Sequence, residues 1–445
     1  MKIRALVIGY WLLAVSYWMS ASAQEAEKKT FTPYYRNALT NMMVYHPEDE
    51  FGYDVYKIFR SLPSDDKYDE HDVHLRVIDN SLVTNVRNKA FGFHRQTYGG
   101  SLVLTADEKQ ANADALLALL NEAEIGKRIV ARWFNLTGET LQDAHFDVEN
   151  IVTRNDYNAS FQEIEQTKQT IEGTALLQDM SDELISHSFV LVSDMTYITA
   201  EERASAAKLT VGILGAIFDG LSGGNSGQRM TETVEDIADK FTGFKVLTHS
   251  YLFQLVWNDS ISNLFYSRYY TSEPNPAKMR AFLEDRSSFR LVYLGTESAN
   301  HEKTKLVDRY TREELLQMIT VRSIDKNVAK LQKRFESFRV KAPITAIEYD
   351  KKGNVVGYRA QIGQKEGIED NMKFEVLEAR VVKGKLQYRR VAVLKPVRNH
   401  IWDNRFNALI ENDRDGETQG TLFKLDTKNA GASIYPGMLI RQING

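Results

Sequence analysis

The chain has 445 residues, 43% of them hydrophobic and 26% charged, with a net charge of -4. That is enough for two or three globular domains, and so weak a negative charge offers no basic field to nucleic acid. Cysteine is absent, which excludes disulfide staples, thiolate nucleophiles and thiolate metal ligands.

The first predicted element is a secretory signal peptide, residues 1–23. Lys2 and Arg4 give a positive start, Ala5 to Trp18 is almost wholly apolar, and Ala21-Ser22-Ala23 is a small-residue cleavage site before Gln24. The apolar core is shorter than the ~20 residues a spanning helix needs. The expected mature chain therefore begins at Gln24 and works in the periplasm or at the cell surface. No Cys stands at the cleavage site, so lipoprotein-type lipid attachment is not expected. Export without cysteine fits a bacterial envelope better than a eukaryotic extracellular module.

Residues 24–100 read as an irregular N-terminal region. Ser64 to Asp72 is an acidic loop, and Val73 to Ile78 alternates like a strand. Thr105 with Glu108 three positions on is a capping box, and it opens a helix through Ala113, Leu116, Leu117 and Leu120. Gly126 is expected to close that helix, with Arg128 to Phe134 following as a strand.

A long helix is predicted from Asn158 to about Ile185, then an apolar strand Phe189 to Ile198. Phe244 to Trp257 reads as a long strand, Asn258-Asp259 as a turn, and Ile261 to Tyr270 as the returning strand. Further helices are expected at Thr231 to Phe241, Pro276 to Asp285 and Thr311 to Arg339. From Pro343 the helical period is lost. Ile344–Tyr349 and Val355–Ile362 flank a hairpin loop at Asp350–Asn354, and glycines punctuate short alternating runs to the end. That pattern argues a small barrel or sandwich.

Candidate chemistry is sparse. His71 and His74 stand at a spacing that meets on a helix turn, with Asp66, Asp69 or Asp72 as a further ligand. On a strand the same spacing points the two rings to opposite faces, which favours a solvated loop. Ser226 in Gly223-Gly224-Asn225-Ser226-Gly227 lacks the G-x-S-x-G pattern of a nucleophile elbow. Trp133, Trp257 and Trp402 read either as a sugar platform or as core.

The segment 206–228 stands out. Leu209, Val211, Ile213, Leu214, Ile217, Phe218 and Leu221 are apolar and glycine-spaced, and a glycine-rich tail follows. It reads either as a contact with a second protein, a second copy or a membrane surface, or as a buried helix. At ~13 residues, Leu209 to Leu221 is too short to span a bilayer as a helix.

The order of a helix, then Phe189-Val190-Leu191-Val192-Ser193, then long strands at Phe244–Tyr270, resembles an envelope module. It is the α/β domain of the curli secretion channel, of the lipoprotein activators of penicillin-binding proteins, and of the TolB N-terminal domain. Ser188 stands where those modules carry Asp. Ile362-Gly363-Gln364-Lys365-Glu366-Gly367-Ile368, Met372 to Val376 and Ile434-Tyr435-Pro436-Gly437-Met438 are similar to the small β domain of the flagellar T protein. The resemblance implies binding and assembly, with no catalytic residues and no cofactor.

The expected fold class is therefore α+β. An α/β module with a mixed, helix-covered sheet at 101–341 precedes an all-β barrel or sandwich at 342–445. The expected function is an exported envelope protein acting by contact with a protein partner or a second copy. A hydrolase on envelope glycan or peptide, and a carbohydrate- or ligand-binding module, are the alternatives.

Overall fold

The computed structural model describes residues 37–62, 68–70, 73–85, 104–147, 151, 181–182, 184–199, 241–306, 310–382, 385–408, 420–426 and 433–443. The signal peptide, His71, Asp72, most of the helix from Asn158, the helix from Thr231 and the whole 206–228 segment lie outside them.

The fold is α+β. A mixed sheet is built from β1 (Ala38–Tyr45), β2 (Asp69–Glu70), β3 (Val77–Asp79), β4 (Ser188–Thr199), β5 (Phe241–Leu255) and β6 (Leu291–Leu306), in the order β2-β1-β4-β5-β6 with β3 also on β1. β1 runs parallel to β2, β3 and β4, whereas β4, β5 and β6 are successively antiparallel. The region 24–100, expected to be irregular, thus supplies β1, an inner strand. It also supplies α1 (Gly52–Ser61) and α2 (Asn80–Asn85). Of the strand expected at Val73–Ile78 only the end forms, because His74 takes a left-handed φ of 57°.

Both faces of this sheet are covered, which explains the unbroken apolar run in β4. Val190 and Val192 face α3 (Ala106–Glu122) and α4 (Ile125–Trp133), in a cluster with Leu116, Leu120, Ile129 and Trp133. Phe189 and Leu191 face the other way, onto Val328 and Leu331 of α7 (Arg312–Arg334). Capping boxes start α3 and α7. Thr105 and Thr311 accept from the amides of Glu108 and Glu314, whose carboxylates accept from the amides of Thr105 and Thr311 in return.

Two predicted strands are helices. Arg128–Phe134 lies largely in α4, because Ile125, Ile129 and Trp133 fall on one buried helical face. Glu124, with φ of 56°, makes the break expected at Gly126. Gly126 instead sits inside α4, where an added Cβ would lie 2.5 Å from the Phe289 carbonyl oxygen. Ile261–Tyr270 is α5 (Asp259–Leu264) continued by a π-turn, Phe265–Tyr269. Asn258 is its N-cap, accepting from the amides of Ser260 and Ile261, and not a hairpin turn. The strand that returns on β5 is β6, reached after α6 (Pro276–Glu284).

β6 is an edge strand of the described sheet, and its backbone is covered by side chains. Lys326, Lys330 and Arg334, spaced by four on α7, donate to the carbonyls of Asn300, Ser298 and Thr296. Asn121 of α3 exchanges two bonds with the backbone of Leu291. Carbonyls two apart on a strand point the same way, so the three cations occupy the side turned from β5.

From Lys341 the chain forms a closed antiparallel barrel: β7 (Lys341–Tyr349), β8 (Val355–Ala360), β9 (Lys373–Val382), β10 (Lys385–Pro396), β11 (Thr421–Leu425) and β12 (Leu439–Ile443). Their order is β10-β11-β8-β7-β12-β9. Closure leaves no free edge. Ile344, Tyr358, Phe374, Val376, Leu394, Phe423 and Ile440 fill it.

Candidate functional site

Two concavities gather polar groups. The first lies at the carboxyl end of β1, the end of parallel strands where α/β sheets place ligands. The chain leaves β1 through a tight turn in which Asp49 donates its amide to the His46 carbonyl and Gly52 donates to Asp49. A Cβ on Gly52 would lie 2.2 Å from the His46 carbonyl oxygen, so only glycine closes this turn. His46, Glu48, Asp49, Glu50, Thr196 and Tyr197 are among the residues lining about 750 Å³ of space here, open solvent included.

Behind this lining His46 Nε2 and Asp194 Oδ1 are 2.8 Å apart, and both side chains are buried. Glu48 Oε1 lies 3.4 Å from His46 Nδ1. Asp194 stands opposite His249 in the β4–β5 register. Burial pushes the His249 imidazole below its ordinary value against the pull of the Asp194 charge, and Lys109 pushes the same way as burial. His249 Nδ1 bonds the Ser298 hydroxyl at 2.7 Å. Of these groups His46 and Glu48 line the concavity, and an imidazole beside a carboxylate suits proton exchange or recognition of a cationic or hydroxylated ligand.

The opposite sheet face carries a second polar set. Asn327 donates to the Ser250 hydroxyl and the Thr248 carbonyl at 3.0 Å each, Ser193 and Ser250 share a hydrogen bond, and Ser323 donates to Thr248 Oγ1. Tyr197 bonds Thr320, and burial raises its phenol. Thr320, Ser323 and Asn327 lie along one face of α7, so this network docks the helix.

The second concavity is the seam between sheet and barrel. Leu39, Phe59, Ile324, Val328 and Phe406 form apolar lining, and Arg76, Asp325, Lys365 and Asn404 add polar groups around about 780 Å³, open solvent included. Arg322 of α7 donates through Nε and Nη2 to the Phe406 carbonyl, at 3.1 and 2.7 Å. Arg339 donates to the carbonyls of Gln332 and Gln442. On the barrel side Asn404 accepts from the Lys365 amide and donates to Glu366, which accepts from the Gly363 amide. Lys365 of the Gly363-Gln364-Lys365-Glu366-Gly367 stretch lines the cleft together with Asn404.

The residues singled out in the sequence are not brought together here. His74 is exposed, apart from both concavities, and its partners His71 and Asp72 lie outside the described residues, as do Ser226 and Leu209 to Leu221. Trp133 and Trp257 are core, donating to Ser188 and Asp182 at 2.7 Å each. Trp402 is half-buried beside Gly363. Among the described residues no group of three or more His, Cys, Asp and Glu could hold a metal ion. No helix among them is long and apolar enough to cross a membrane. No protein-family model and no curated protein matches the chain.

His46 and Asp194 were missed in the sequence. Their signal was slight: Ser193-Asp194 interrupts an apolar strand, and a buried polar pair there requires partners.

Proposed function

We propose that this is an exported envelope protein that acts by contact, and that the seam cleft is where it holds a protein partner. One observation carries the reading. The cleft has an apolar floor rimmed by Arg76 and Asp325 on the sheet side and by Lys365 and Asn404 on the barrel side, a composition that suits an apolar segment flanked by polar side chains. Export rests on residues 1–23, and the likeness to envelope assembly modules supports the contact role.

The test uses the full mature chain as bait in native envelope extract, beside Ile324→Glu and Phe406→Ala. The expected result is a partner retained by the wild type and lost by both variants, with circular dichroism unchanged. Retention by both variants removes the cleft as the site.

A hydrolase is the second reading, favoured by His46, which is backed by Asp194 and lines a pocket with carboxylates at its lip. Release of envelope glycan or peptide fragments by the wild type and not by His46→Ala would establish it in place of the first.

A further inference from the structure

The end of the barrel formed by the β7–β8 hairpin combines exposed apolar side chains with lysines. Tyr349 is 58% exposed, Val355 48% and Val356 37%. Tyr349 and Val355 are cross-strand partners. The register that pairs Phe423 with Tyr358 brings Leu425, 36% exposed, level with Val356. Four large apolar residues at one end of a small barrel are more than scattered surface leucines and valines.

The hairpin tip is pre-ordered. Asp350 Oδ1 accepts from the amides of Lys352 and Asn354 at 2.8 and 2.9 Å, Asp350 Oδ2 accepts from the Asn354 side chain at 3.0 Å, and Gly353 turns with φ of 82°. The tip therefore loses little freedom on docking. Its charge is mainly positive. Lys351 and Lys352 sit on the turn, and Lys424 alternates with Phe423 and Leu425 on β11. The described acidic neighbours are engaged: Asp350 within the turn, Glu348 with Arg359, and Asp426 with Lys395 and Lys373 at 2.9 and 3.4 Å.

We propose that this barrel end docks on an anionic lipid bilayer. Tyr349, Val355, Val356 and Leu425 enter the headgroup region, while Lys351, Lys352 and Lys424 meet lipid phosphates. Tyrosine suits that depth because its ring is apolar and its hydroxyl polar. Basic residues next to an apolar element add binding to anionic lipid that salt weakens. The surface lies on the barrel, apart from the seam cleft, so the two proposals stand or fall separately.

Vesicle co-sedimentation of the full mature chain tests it, using phosphatidylcholine vesicles with and without phosphatidylglycerol. The expected result is binding that needs phosphatidylglycerol and weakens as salt rises. Lys351→Glu with Lys352→Glu lowers the vesicle-bound to free ratio roughly tenfold or more. Tyr349→Ser with Val355→Ser abolishes binding at unchanged circular dichroism. Tyr349→Trp reports directly, its fluorescence shifting to the blue on phosphatidylglycerol vesicles. Absence of binding, binding equal on both vesicles, or binding that neither double variant reduces overturns the proposal. So does concentration-dependent self-association in sedimentation velocity that the Tyr349 and Val355 substitutions remove, because the occupant is then a second copy.

Discussion

His46 and Asp194 are 148 positions apart, yet their side chains share a 2.8 Å hydrogen bond inside the protein. The bond ties the exit of β1 to the middle of β4, the two inner parallel strands. Breaking such a buried hydrogen bond from one side removes a partner from a desolvated group, a cost of about 1–3 kcal/mol. Asp194→Ala is expected to lower the urea midpoint accordingly, and Asp194→Asn, which keeps a hydrogen-bonding oxygen, by less. Equal loss in the two variants would show that the carboxylate charge, and not its shape or one hydrogen-bonding oxygen, is what this position requires.

The imidazole of His249 contributes a pH response near neutrality. Its folded pKa lies below the ordinary 6.5 because burial disfavours the cation. The unfolded chain then binds more protons between the folded value and 6.5, so stability rises with pH across that window. The contribution is complete above 6.5 and is lost as pH falls through the window. Urea midpoints of the wild type are expected to fall from pH 7 to pH 5, and those of His249→Asn to fall less. A lower limb belongs to Asp285. Burial opposes its ionisation, but hydrogen bonds from Ser288, Tyr269 and the Ser287 and Ser288 amides outweigh it and hold the carboxyl well below its usual range. That stability is present above 3.8 and is lost as pH falls toward the folded value.

What could be read in advance was local. Thr105 and Glu108 mark α3 because both halves of a capping box lie within four residues. The hairpin at Asp350–Asn354 is likewise self-contained. Arg128–Phe134 misled because its Ile-Val pair favours a strand locally, whereas packing of Ile129 and Trp133 on the sheet requires a helix. Asn258-Asp259 misled because the same side chains make turns and N-caps. The site was hardly legible at all. Nothing in the neighbourhood of His46 points to residue 194, and Arg322 reaches a backbone carbonyl that no side-chain pattern marks.

The cations along β6 yield a prediction about solubility. Lys326, Lys330 and Arg334 cover three carbonyls of an edge strand, and a bare edge is a template for pairing with another chain. Replacing all three with Ala is expected to change the melting temperature little, since the three are on the solvent side of α7. It should make the protein self-associate on heating, seen as earlier light scattering. A triple variant that scatters like the wild type would show that the twist of β6, and not its cations, protects the edge.

Gly126 and Gly295 separate a rigid constraint from a soft one. Each would place a new Cβ 2.5 Å from another atom, but the atoms differ in kind. At Gly126 it is the backbone oxygen of Phe289, fixed by the core around Phe265, Phe282 and Phe289. At Gly295 it is the far edge of the Phe335 ring, which a side-chain rotation removes. Gly126→Ala must therefore push α4 away from the Phe289 segment, and overpacking of that sort costs about 1–3 kcal/mol. It gains less than this from alanine's better helix propensity, about 1 kcal/mol. Gly295→Ala should fall within about 1 kcal/mol of the wild type, because the strand loses no backbone contact and alanine restricts the unfolded chain. Urea melts of the two variants are expected to rank Gly126→Ala clearly below Gly295→Ala. The reverse order would mean that Phe335 cannot rotate, and that its contact with the sheet is the more rigid of the two.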